Sequence, residues 1–190
     1  MAYSSGFSPH PKISYAGAAP TGAASQAEYL EIALVERRDP ESLRRQLGSV
    51  LPPVLPIIRV VEASGGPLPE RMQASRWLLD LGAADRAELA TAVAEYLAAD
   101  ALQVERNTKK GVRRFDVRAA VLAMTVTDGG QVEVVIRHGE PLVRPDDVAK
   151  ALRSLRPGLD TGRSVLSTRL AQGPLEPSGD IADPLAPNTR

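Results

Sequence analysis

The stretch RWLLDLGAADRAELATAVAEYLAA, residues 76–99, decides the fold class because it places a strand directly before a helix. Its first residues alternate with a period of two, which puts three apolar side chains on one face of a strand: Trp77, Leu79 and Leu81. Asp85 and Glu88 form a cap pair, which predicts a helix that reaches about residue 99. That helix has an apolar stripe on one face: Leu89, Val93, Tyr96 and Leu97.

The sequence that follows indicates further strands and a second helix. Residues 101–105 predict the next strand, and residues 115–127 predict a longer one. Asp128-Gly129-Gly130 is a hairpin turn signal, so residues 131–138 are expected to pair back. A last helix is predicted over residues 145–155, because a proline stands at its first position.

The sequence before the opening stretch has a similar organisation. Residues 28–35 alternate, and this predicts a half-buried strand with three apolar residues on one face: Leu30, Ile32 and Leu34. Asp39 as N-cap and Pro40 as first helical residue predict a helix that stops at the prolines 52 and 53. Residues 57–63 predict a short apolar strand.

Each half of the chain therefore predicts an α+β unit with antiparallel strands, and the second half is close to a ferredoxin-like unit. We expect a first unit over residues 1–63, a linker over 64–75 and a second unit over 76–172. Residues 173–190 contain four prolines and few large apolar groups. They cannot bury enough surface to offset their ordering entropy, so we expect a disordered tail.

Composition excludes several kinds of site. The 190-residue chain has no cysteine, which excludes disulfides and cysteine-ligated iron–sulfur clusters. Its two histidines are His10 and His138, so we expect no structural zinc, no other metal and no cofactor. No stretch approaches the roughly 20 apolar residues of a membrane helix, and no export signal is present, so we expect a cytoplasmic protein without a membrane partner. A formal net charge of zero means that nucleic-acid binding would need a local patch.

The segment SGFSPHPKI, residues 5–13, predicts a stiff polar loop. Gly6 permits unusual backbone angles, whereas Pro9 and Pro11 fix φ and remove two N–H donors. The loop carries an aromatic ring, an imidazole and an ammonium group, a combination typical of a recognition surface: Phe7, His10 and Lys12.

Two separated motifs occur in the same order as in a known family. The first is the loop at residues 5–13, followed by ASQAEYL at 24–30; the second is KKG at 109–111, followed by FDVR at 115–118. Together they resemble the bacterial radical-SAM-linked family of unknown function. The matching positions are Gly6, Phe7, Pro9, His10, Pro11, Lys12, Glu28, Tyr29 and Asp116. The resemblance implies a radical SAM enzyme as partner, and the absence of cysteine implies that this chain is not itself such an enzyme.

The family usually has a strand and a helix before this loop. Because the loop begins almost at Met1, we expect the chain to be N-terminally incomplete. The predicted fold is therefore α+β, with two tandem ferredoxin-like units of which the first is incomplete.

The strongest charge feature is the segment 106–118, which holds six cations and one acid. The cations are Arg106, Lys109, Lys110, Arg113, Arg114 and Arg118. With Lys12 they are the candidate nucleic-acid-binding residues, because lysine and arginine release counterions from a phosphate backbone. The alternative is a solvated edge hairpin whose lysines discourage aggregation.

These observations leave three hypotheses about function. The first is an accessory protein that binds RNA, tRNA or rRNA, for modification by a separate radical SAM enzyme. The second is an enzyme similar to RNA-processing endonucleases, with His10 as general acid or base. The third is a module that docks a radical SAM partner through protein contacts alone.

Overall fold

The computed structural model describes residues 1–64, 66–82, 85–109 and 111–186, and it has an α+β fold. The strands are β1 Ile13–Ala16, β2 Ala24–Ser25, β3 Tyr29–Ile32, β4 Ala74–Asp80, β5 Gln103–Thr108, β6 Gly111–Asp116, β7 Val121–Val126, β8 Val132–Arg137 and β9 Leu166–Gly173. The helices are α1 Pro40–Val50, α2 Leu68–Arg71, α3 Arg86–Ala98 and α4 Pro145–Leu155.

A five-stranded sheet with the order β2-β9-β4-β8-β7 organises the described residues. Four of its strands are mutually antiparallel, whereas β2 joins the edge parallel to β9. Helices α3 and α4 pack against each other and contact β7 and β4 respectively. Trp77, Leu79 and Leu81 are buried in the resulting core, as their alternation predicts.

The predicted helix starts are confirmed. The Asp39 carboxylate accepts the Ser42 N–H at 2.7 Å and begins α1, and Asp85 accepts the Ala87 N–H at 2.7 Å and begins α3. Leu89, Val93 and Tyr96 of the predicted stripe are buried. Helix α4 has the predicted bounds, with its proline at the first position.

The predicted strands differ from the structure in three places. Residues 57–63 form no strand and belong to no sheet in the described chain. The single strand expected over 115–127 is divided, because the Asp116 carboxylate accepts the N–H groups of Leu102 and Arg118 and so fixes a turn between β6 and β7. Strands β5 and β6 therefore form a separate two-stranded sheet.

The third difference is β9, which the sequence does not reveal. Its strand LSTRLAQG buries Ser167, Arg169 and Gln172, so it lacks an apolar face that alternates with a polar one. Tertiary hydrogen bonds stabilise these polar groups, and a periodicity search cannot detect such bonds.

The N-terminal part has a smaller core. Strands β1 and β3 form a two-stranded antiparallel sheet, and α1 contains no fully buried residue. A small cluster of Ala16, Leu68 and Met72 packs beneath this sheet. Of the predicted apolar face on β3, Leu30 remains 41% exposed.

The tail differs from the disorder predicted from residue 173. Gly173 ends β9, and residues 174–186 fold back. Arg71 donates to the Pro184 carbonyl at 2.7 Å, and Leu185 packs against the small N-terminal cluster. A few anchoring contacts therefore offset the ordering entropy that the composition alone predicts to dominate. Residues 187–190 lie outside the described part of the chain.

Among the described residues, no helix combines the length and the apolar character that crossing a membrane requires.

Candidate functional site

The hairpin formed by β5 and β6 carries most of the predicted nucleic-acid-binding residues. Thr108 pairs with Gly111 as the last pair of the hairpin. Gly111 has φ +107°, which a side chain would strain. Val104 and Phe115 are buried at the base of the hairpin, whereas most of its outer residues are exposed. The predicted site residue Lys110 lies outside the described residues.

The Arg106 side chain is held by contacts within the protein. Its Nε donates to Asp147 Oδ1 at 3.2 Å, and its guanidinium carbon lies 4.8 Å from the centre of the Phe115 ring. Asp147 belongs to the first turn of α4, and its side chain is 3% exposed. The arginine therefore attaches the hairpin to α4, and its charge is compensated within the protein.

Arg118 is also used inside the fold. Its guanidinium donates to the carbonyls of Leu97 at 2.9 Å and Val121 at 3.1 Å. Partial burial alone would raise the pKa of the neighbouring Asp116 carboxyl, but the N–H donors around it outweigh burial and hold this pKa below its usual value. Asp116 and Arg118 of the second motif thus shape the turn after β6.

Among the described residues of the hairpin, three cations face solvent: Lys109, Arg113 and Arg114. Arg113 pairs with Glu140 at 3.3 Å, and the two side chains are 52% and 87% exposed, so this pair is weak. Arg114 lies opposite Glu105 in the register. Because neighbouring residues of a strand point to opposite faces, the two arginines present positive charge on both faces of the hairpin.

The N-terminal motif forms a closed loop. Tyr3 bridges to Pro11, and the Ser4 N–H donates to the His10 carbonyl at 2.9 Å. The His10 N–H donates to Ser4 Oγ at 3.0 Å, and Gly6 has φ +132°. Pro9 lies within this turn. The side chains that the loop presents to solvent are Phe7, His10 and Lys12.

The loop and the hairpin are not joined in the described structure by any hydrogen bond or ion pair. No described side chain makes a hydrogen bond to the His10 ring. None of the described residues therefore orients the ring for proton transfer through a hydrogen bond.

Glu28 and Tyr29 of the first motif have different surroundings. Glu28 pairs with the buried Arg169, which also donates to Ser25 Oγ at 3.2 Å and to Gln172 Oε1 at 3.1 Å. Burial raises the pKa of the Tyr29 hydroxyl, and the Asp183 carboxylate adds to the rise. The motif at 24–30 is thus held on β9 through Arg169, a residue that sequence reasoning does not identify.

His138 joins a buried polar network beside this anchor. One ring nitrogen, Nδ1, lies 2.7 Å from the Met72 carbonyl and so donates to it, and Nε2 accepts from Ser75 Oγ at 3.0 Å. Ser75 Oγ in turn accepts the Trp77 indole N–H at 2.7 Å. Burial lowers the pKa of His138, and the charge of Arg169 contributes to the shift.

Stability should therefore fall as the pH is lowered through the unfolded-state pKa of histidine, about 6.5. The unfolded chain binds a proton there that the folded His138 resists, so the free energy of unfolding rises with pH in this window. Urea unfolding between about pH 7.5 and 5.5 measures the dependence. The variant His138→Gln should lose part of it, while His10→Gln, on the exposed loop, should retain it. Equal pH dependence in all three proteins would contradict this role.

Within the described residues, no group of three or more His, Cys, Asp or Glu side chains is arranged to hold a metal ion.

Comparison with known proteins identifies the family. No curated protein and no solved structure matches the chain. The family described as "uncharacterized protein conserved in bacteria (DUF2344)" matches residues 1–145, which is more than half of the chain and includes both sequence motifs. The match ends where α4 begins, so Asp147 and Arg169, which anchor the hairpin and the first motif, lie beyond it. The chain belongs to this family of uncharacterized bacterial proteins.

Proposed function

We propose that the protein binds RNA, such as tRNA or rRNA, through the exposed cations of the β5–β6 hairpin, as a cytoplasmic accessory to a separate radical SAM enzyme. One observation carries the proposal. In a chain of zero net charge, Lys109, Arg113 and Arg114 are exposed on a hairpin that forms its own sheet.

The distribution of the cations favours a binding surface over a solvated edge. Arg106 and Arg118 are held by the fold, whereas Lys109, Arg113 and Arg114 are exposed on the same hairpin. Exposed lysine and arginine side chains on a two-stranded ribbon can contact the phosphates of a nucleic-acid backbone. Arginine guanidinium groups also bind phosphate with two parallel hydrogen bonds.

The architecture supports the proposal at the level of analogy. Apart from the inserted hairpin, strands β4, β7, β8 and β9 with α3 and α4 have β-α-β-β-α-β connectivity, and the sheet places the fourth of these strands beside the first and the third beside the second. We propose that this is a ferredoxin-like unit with the β5–β6 hairpin inserted after α3. Function still depends on the hairpin and not on the fold class.

The loop at residues 5–13 supports a second contact. Phe7 is fully exposed at the turn, with His10 and Lys12 nearby in sequence. An exposed aromatic ring beside cations is suited to stacking on an unpaired base. Because its ring is not oriented by a described neighbour, we assign His10 to recognition and not to proton transfer. The iron–sulfur chemistry would belong to the partner enzyme, since this chain has no cysteine.

Replacing Lys109, Arg113 and Arg114 with alanine should weaken binding of a fluorescently labelled RNA. Each lost phosphate contact should flatten the dependence of log affinity on log salt by about 0.7 for a single strand. Fluorescence anisotropy over a salt series, with a single-stranded RNA and a tRNA as probes, measures both effects.

A matched control removes the same charge elsewhere. The triple variant Arg45→Ala, Arg86→Ala and Arg163→Ala also removes three exposed cations, none of them in the hairpin. It should bind RNA as the unmodified protein does. Unchanged affinity and salt dependence in the hairpin variant, or an equal loss in the control, would overturn the proposal.

A further inference from the structure

A large apolar groove lies in the N-terminal part of the chain, apart from the hairpin. Its volume is about 780 Å³. Its lining comes from β3 with the residues that flank it, the segment of residues 56–64, one face of α1, helix α2, and Asp183 and Leu185 of the tail. Leu30 of β3 and Ile58 of the segment 56–64 are 41% and 83% exposed. The groove thus exposes apolar side chains that a globular core would bury.

The edge of β3 within this region has free backbone groups. In the described structure β3 pairs only with β1. The Ala33 N–H donates to the Lys12 carbonyl, and antiparallel hydrogen bonds alternate along a strand, so Tyr29 and Glu31 bond to β1. The N–H and C=O groups of Leu30 and Ile32 consequently point away from β1.

Residues 57–63, which also line the groove, likewise have backbone N–H and C=O groups without a backbone partner in the described structure. Among the described residues, no backbone–backbone hydrogen bond involves residues 57–63. Side chains hold the segment in place instead: Arg37 pairs with Glu62 at 2.7 Å, and Arg59 pairs with Asp183. Strand β3 and residues 57–63 therefore both bring backbone groups without a backbone partner in the described structure to the same groove.

We infer that this groove binds an extended peptide strand of a partner protein, which adds to the free edge of β3. Backbone donors and acceptors at Leu30 and Ile32 select a strand over a compact apolar ligand, because a ligand without a peptide backbone would leave them unpaired. Leu43 and Leu47 of α1 line the groove and would cover one face of that strand. The strand therefore carries apolar residues at alternate positions and polar ones between them. The arginines Arg37 and Arg59 are already paired with acids, so no strong charge is required of it.

The test uses the full chain and short peptides in which valine, isoleucine or leucine alternates with threonine. Titration followed by nuclear magnetic resonance should give saturable shifts and slowed hydrogen exchange at the Leu30 and Ile32 amides. The same peptides N-methylated at alternate residues keep their side chains but lose the N–H donors that would face β3. They should bind about tenfold more weakly for each hydrogen bond lost.

Two substitutions separate the contribution of the Ile32 backbone to peptide binding from that of its side chain. Ile32→Pro removes an outward N–H without removing a bond to β1, and proline is tolerated at such an edge position. Ile32→Ala keeps that N–H and shortens the side chain. Thermal unfolding checks that both variants remain folded. The proline variant should lose peptide binding, while the alanine variant should lose only part of it.

Three outcomes would overturn the inference. The first is that no peptide of the set binds. The second is that the N-methylated peptides bind as tightly as the unmodified peptides, and that Ile32→Pro binds peptide as tightly as the unmodified protein. This result would indicate an apolar ligand with no strand pairing. The third is a dimer in sedimentation that Ile32→Pro abolishes, which would make a second copy of this chain the occupant. The groove does not include the hairpin, so failure of the RNA experiment would leave these results unaffected.

Discussion

Replacing Arg169 with methionine should lower the free energy of unfolding by about 3 kcal/mol. The Arg169 side chain is 4% exposed and lies 5.4 Å from the centre of the Trp77 ring. It donates to Ser25, Gln172 and the Gly17 carbonyl and pairs with Glu28. Methionine fills part of the space but provides no donor, so several partly buried acceptors would lose their partner at once.

Urea unfolding followed by fluorescence is suited to this test, because Trp77 is the single tryptophan of the chain. Hydrogen exchange should show that protection is lost first in β2 and in the motif around Glu28. Arg169→Lys should recover only part of the stability, since an ammonium group cannot reach the same acceptors in the planar geometry of a guanidinium. The exposed Arg163→Met is the control. A loss below about 1 kcal/mol in the Arg169 variant, within the range of surface changes, would show that this network is not an anchor.

Replacing Asp147 with alanine should cost a similar amount, about 3–4 kcal/mol. The carboxylate accepts from Arg106 and from the Arg144 N–H at 2.8 Å, so it both compensates a mostly buried charge and caps α4. Without it, the Arg106 guanidinium, which is 19% exposed, would be left beside Phe115 with no counter-charge. Thermal and urea unfolding give the size of the loss.

A double-mutant cycle makes this prediction specific. Arg106→Met in the Asp147→Ala background should recover part of the stability, because it removes the uncompensated charge. If the two single losses simply add in the double variant, Arg106 and Asp147 are not coupled, and the hairpin is attached to α4 by packing alone.

The helices could be predicted from sequence because their signals are local. Asp39 and Asp85 start α1 and α3 through their own carboxylates, and Pro145 starts α4 through its fixed φ. Each signal lies within one turn of the boundary that it sets, so no distant contact can change it easily.

The candidate site could be predicted only in part, for the opposite reason. Composition identifies the basic segment, but it cannot show that Arg106 is bound to an acid within the protein whereas Arg114 is exposed to solvent. The difference is made by Asp147, a partner 41 residues beyond Arg106 in the sequence, whereas Arg114 lies opposite Glu105 in the register and is exposed. Arg169 was missed in the same way, since its acceptors come from residues 17–28.

The position of β9 between β2 and β4 also determines when the protein can finish folding on the ribosome. The N-terminal segment with Ser25 docks on a strand made more than a hundred residues later, through the Arg169–Ser25 contact with its sequence separation of 144. Contacts of such separation form late, because loop-closure entropy must be overcome first. Until the last part of the chain emerges, β4 has an open edge and the segment before it has no docking site. A nascent chain of this protein would therefore depend on its final strand, and translational pauses before residue 166 would extend the time for which that edge can pair with other chains.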